Sequence, residues 1–146
     1  MSTRSNIAVK LEDGSIKAVY CHFDGYPEWN GRILLESWTD EAKVKQLVEL
    51  GNLSALGSEI GEKHDFDKRD GVPESWCRFY GRDRGEKDQD ATTYANEAEF
   101  QKMVSEDVFI EYAYLFKSGK WYMSTGGKFK LLTKKICKIG VEEMPK

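Results

Sequence analysis

The stretch from Ile16 to Phe23 constrains the fold most, because it is apolar on both sides. In an extended chain Ile16, Ala18, Tyr20 and His22 point one way, and Val19, Cys21 and Phe23 the other. A strand with two partly apolar faces needs cover on both, so it belongs inside a sheet. It is also the return arm of a hairpin. Asn6–Leu11 leads in, and Asp13-Gly14 supplies a turn whose residues accept positive φ at low cost.

Further along, Thr39 or Asp40 caps a helix over Asp40–Leu50, with Gly51 as its stop and Val44, Leu47, Val48 and Leu50 as its buried stripe. Asn96 with Glu99 three residues on is a reciprocal cap, and opens a second helix reaching Val104. Phe109–Lys117 alternates, Ser118-Gly119 turns it, and Lys120–Ser124 pairs back. Trp76–Tyr80 and Lys128–Ile139 read as further strand regions. Arg32–Trp38 is a short connector, helical or extended, and Asn52–Gly57 a turn that docks two leucines. Residues 57–75 and 81–92 are charged loops. These elements predict a single globular α+β domain over residues 1–146. Its expected form is an antiparallel sheet of about five to six strands with two main helices packed on one face. No glycine-rich phosphate loop joins a strand to a helix, which disfavours a Rossmann-type enzyme.

Apolar content of 40% with 12% aromatics excludes a disordered chain. No apolar run is long enough to cross a bilayer, and the first residues lack the apolar centre of a secretion signal. The three cysteines, Cys21, Cys77 and Cys137, are odd in number and scattered. That is not a disulfide framework, and the expected location is the cytoplasm. The net charge of −3 conceals an asymmetry: residues 117–146 carry eight lysines against Glu142 and Glu143, leaving −9 on the rest. Lysines there can guard an edge strand or meet an acidic partner. Residues 57–90 mix both signs, so neither DNA mimicry nor nucleic-acid binding is the expected role.

Two clusters carry the binding chemistry. Tyr20–Gly31 places Tyr20, His22, Asp24, Tyr26 and Trp29 around Gly25 and Pro27, where a strand gives way to a shaped loop. Arg78, Tyr80, Arg82, Arg84 and Glu86 form the second, offering guanidinium forks and stacking faces for an anion. The structural alternative is an ion-pair network, Arg82 or Arg84 clamping Asp24, Glu28 or Glu86. His22 with Asp24 invites acid–base catalysis, and Cys21 or Cys77 a Cys–His pair. Ser2 is a nucleophile candidate if Met1 is removed. His22, His64 and Asp67 carry metal-ligand chemistry but match no zinc spacing, so no metal or other cofactor is expected.

Several of these segments also form an ordered set of motifs. They are Ser2-Thr3-Arg4-Ser5-Asn6-Ile7, Tyr20–Pro27 with Asn30-Gly31, Gly51–Leu56, Phe79–Glu86, Glu111–Tyr114 and Trp121-Tyr122. This order resembles a family of small bacteriophage and prophage proteins that begin Met-Ser/Gly-Thr-Arg-Ser. Glycine at the place of Ser2 in relatives weakens the nucleophile reading. Tryptophan at the place of Phe23 suggests aromatic packing. The resemblance implies a phage accessory protein in the host cytoplasm, binding a host protein or a small anionic, nucleotide-like ligand, in one version to counter host defence. A small hydrolase or transferase built on His22 and Asp24 is the alternative, and an oligomeric scaffold the second.

Overall fold

The computed structural model describes residues 2–139. The opening hairpin forms as its pattern requires. β1 (Ser5–Lys10) pairs antiparallel with β2 (Ile16–Cys21), Ile7 facing Val19 and Ala8 facing Ala18. A single π-helical turn, Pro27–Gly31, leads into α1 (Arg32–Ser37). α2 (Glu41–Glu49) follows, capped by Asp40, whose side chain accepts from the Ala42 N–H at 3.0 Å. Then come β3 (Leu53–Ala55), β4 (Arg78–Phe79), α3 (Tyr80–Arg84) and β5 (Thr92–Tyr94). α4 (Glu97–Glu106) starts on the Asn96 cap, which accepts from the Glu99 N–H at 2.9 Å. β6 (Tyr112–Lys117) turns at Ser118 and Gly119, both at positive φ, into β7 (Lys120–Ser124), and β8 (Lys130–Leu131) ends the sheet.

The architecture is α+β around one sheet, but two expected details are corrected. The sheet is mixed, with eight strands in the order β4-β3-β2-β1-β6-β7-β8 and β5 added beside β2. β1 runs parallel to β6, and β2 meets β3 in a parallel bridge at Cys21 and Leu53. The second correction concerns the helices, which lie on both faces. Ile7, Val9, Val19, Cys21, Tyr114 and Phe116 pack one face against Leu34 and Trp38 and against Val44, Leu47 and Val48 of α2. Ala8, Ala18, Ala113 and Leu115 on the opposite face receive Phe100 and Val104 of α4. Alanines leave room there for the Phe100 ring, which is fully buried. Lys10 and Lys117 both bond Glu97 at 2.9 Å and pin the start of α4.

Local predictions differ in smaller ways. The Trp76–Tyr80 strand shrinks to Arg78–Phe79, because Tyr80 already begins α3. Asn52–Gly57 holds a short strand rather than a turn, though Leu53 and Leu56 are buried as expected. Within Lys128–Ile139 only Lys130–Leu131 is strand.

Candidate functional site

α4 covers only part of its sheet face. It ends beside Asn6, whose Nδ2 lies 4.0 Å from the Met103 sulfur. Beyond that point the same face continues over the end of β2 and over β3 and β4 without a helix. Register decides which side chains stand there. Asn6 pairs with Tyr20, and the strand one residue back sets Arg4 opposite His22. The His22 and Phe23 amides donate to the carbonyls of Leu53 and Ser54 at 3.0 Å each, tying this end of β2 to β3. Arg78 on β4 donates from Nη2 to Ser54 Oγ at 3.0 Å.

This half-face, open in that no helix covers it, carries Arg4, Tyr20, His22, Arg78 and Tyr80, each partly exposed, with Ser54 buried among them. Tyr20 Oη and His22 Nδ1 are 2.5 Å apart, and Phe23 sets its edge on the imidazole with centroids 4.5 Å apart. Burial raises the Tyr20 phenol above its ordinary value, the Arg4 guanidinium beside it pulling the other way. Burial lowers the His22 imidazole, and Arg4 lowers it further. At the other end, Phe66 receives the guanidiniums of Arg78 and Arg84 at 4.7 and 4.6 Å from its centroid and stacks with Tyr80. Burial and the neighbouring Arg69 hold Arg78 below the usual guanidinium range. The Nε atoms of Arg4 and Arg78 are both buried without a hydrogen-bond partner. Neither side chain meets a carboxylate within ion-pair distance among the described residues.

The predicted site residues divide between this face and structural work. Tyr20 and His22 come together with Arg78 and Tyr80, although they were separate clusters in the sequence. Arg84 stands at the rim, paired with Glu86. Arg82 is a clamp: it bonds Asp83 at 2.9 and 3.2 Å and the carbonyls of Ile60, Gly61 and Cys77 at 2.9, 3.2 and 3.1 Å. Its partner is thus Asp83, not Asp24, Glu28 or Glu86.

Asp24, Tyr26 and Trp29 belong to a rigid loop beyond the strand. Asp24 adopts a left-handed φ of 58°. A Cβ on Gly25 would lie 2.7 Å from Ser5 Cβ and 2.8 Å from the Thr3 carbonyl, so only glycine fits. The Gly25 carbonyl accepts from Tyr114 Oη at 2.7 Å, and Asn30 Nδ2 donates to the Phe23 carbonyl at 3.1 Å. Trp29 is 51% exposed and borders a cavity of about 240 Å³ with Arg32, Ile33 and Glu36.

The nucleophile readings meet physical obstacles. Cys21 faces the core cluster while His22 faces the open side, and burial pushes the Cys21 and Cys77 thiols up to about 12. Each stays a neutral thiol at physiological pH. His22 Nδ1 is engaged by Tyr20 rather than by Asp24. His64 Nδ1 lies 2.8 Å from the Glu62 carbonyl and 3.6 Å from the Asp83 carboxylate, and its Nε2 lies 3.1 Å from Arg69. No group of three His, Cys, Asp or Glu side chains gathers at ligand geometry among the described residues.

Three members of the face were missed from sequence: Arg4, Ser54 and Phe66. Arg4 alone had a usable signal, since the hairpin register carried back one step places it across from His22. Comparison with family models, curated proteins and solved structures finds no match.

Proposed function

We propose that the chain acts by binding, and that the open half-face recognises an anionic group, with a small nucleotide-like ligand as the best fit. The biological setting we propose follows the motif resemblance: a phage accessory protein that occupies a host component in the host cytoplasm, defence machinery included. One observation carries the chemical reading. Arg4 and Arg78 present guanidiniums on the same face with buried, unpartnered Nε atoms. Leaving a buried charged donor unpaired costs about 1–3 kcal/mol. Anionic groups that accept from these two guanidiniums offset that cost, and Tyr20, His22 and Tyr80 supply rings for an attached base. Protein charge supports the location, since partly exposed guanidiniums on an otherwise acidic body concentrate anions locally.

The test is thermal denaturation with nucleoside mono- and triphosphates, using wild type and an Arg4→Gln/Arg78→Gln variant. A ligand at about a hundred times its Kd adds about 2.7 kcal/mol to stability. Wild-type melting should rise and the variant's should not. An equal response in both proteins would overturn the assignment of this face.

A further inference from the structure

We infer that the open face takes a segment of single-stranded nucleic acid spanning several nucleotides, an inference that rests on the anion-binding reading above. The sequence directs any nucleic-acid contact to the C-terminal lysines, but the face has what those lysines lack: rings set between guanidiniums. Arg4 lies 5.9 Å from the centroid of Phe109, which is 67% exposed. Phe23, 39% exposed, stands against His22 in the middle of the strip. At the far end Arg84 lies 4.8 Å from the Tyr80 ring, beside an open groove of about 510 Å³ lined by Phe66 and Lys63 and also by Asp65, Asp67 and Asp83.

The spread of these groups across several strands suits a chain of nucleotides. Arg4 precedes β1 and Arg78 lies on β4, three strand intervals away across the order β4-β3-β2-β1. At about 4.8 Å per interval their backbones are about 14 Å apart. Successive phosphates of one strand match guanidiniums spread along such a strip, with bases on the rings between them. A four-stranded sheet face is wide enough to stack two or three bases. Stacking accepts any base, so the expected binding is sequence-tolerant and strongly salt-dependent.

The experiment measures fluorescence anisotropy of a labelled oligothymidylate of about ten nucleotides, with thymidine monophosphate and a duplex of equal length as competitors. Three contacted phosphates predict a loss of affinity of about 20-fold between about 50 and 200 mM salt. Phe23→Ala/Phe109→Ala should weaken binding at least fivefold, because exposed rings contribute stacking but little folding energy. Unchanged melting of that variant verifies that the fold is intact. Lys134→Gln/Lys135→Gln should leave affinity unchanged. Monophosphate competing as well as the oligomer overturns the segment and leaves the anion site standing. Loss of binding in the lysine variant, or equal affinity for duplex, also overturns it. Failure of both oligomer and monophosphate to bind overturns the segment and the anion reading together.

Discussion

At Asp83 a carboxylate with no exposed side-chain surface gathers donors from its own segment and from the distant loop at His64. It accepts from Arg82, from the Phe79 N–H at 2.8 Å and from the His64 N–H at 3.1 Å. Burial by itself would raise this carboxyl. The Arg82 bond and the two amides outweigh burial and hold it below its ordinary value. A carboxylate depressed in the folded state stabilises above its unfolded value, near 3.9, and that contribution is lost as pH falls through the folded pKa. Asp83→Ala leaves the Arg82 charge, 13% exposed, without its counterion. The expected cost at neutral pH is about 3–5 kcal/mol, with a shallower loss of stability in acid than in wild type. Urea denaturation at pH 7 and pH 3 measures both; a loss under 1 kcal/mol would remove Asp83 as the organiser of the loop behind Arg78 and Tyr80.

Among the elements, the contact between α4 and the sheet depends on small residues. Ala18 is 4% exposed and shares its cluster with Phe100, Val104 and Ala8. Ala18→Leu adds volume where the ring already fills the space, and should cost about 1–3 kcal/mol by chemical denaturation. The helix itself was readable in advance, since the Asn96 and Glu99 pattern fixes its start locally. So were both hairpins, because Asp13-Gly14 and Ser118-Gly119 carry their turn chemistry within a few residues. The parallel pairing of Ser5–Val9 with Tyr112–Phe116 was not readable, because it joins chain segments with no local signal connecting them. The placement of α4 opposite α2 follows from that pairing. Alternation on Phe109–Lys117 predicts two faces but does not say which helix meets which. The same limit applies to the site. Tyr20 and His22 share a side by strand period, while Ser54 reaches it through the β2–β3 pairing and Phe66 through the loop before β4.

For the whole molecule the central question is whether two cores on opposite faces behave as one. They share β1, β2 and β6, whose alternate residues enter each core: Ile7 one and Ala8 the other, Val19 one and Ala18 the other, Tyr114 one and Leu115 the other. A strand cannot lose one set of side chains and keep its register for the other, so loss of either core releases both. This predicts a single cooperative transition. Phe100→Ala supplies the test, because Phe100 is buried entirely on the α4 side. Trp38 and Trp121, in contrast, are buried in the opposite core, where Trp121 Nε1 donates to the Trp38 carbonyl at 2.8 Å. The substitution should cost about 3–5 kcal/mol. With a urea slope of about 2 kcal/mol per M, the midpoint read by tryptophan emission falls by about 2 M. Circular dichroism should give a coincident curve. A tryptophan transition left at its wild-type midpoint, with only helical signal lost, would mean that α4 unfolds alone. The open half-face would then extend across the whole sheet whenever α4 detached, and the boundary that Met103 draws beside Asn6 would cease to define the binding surface.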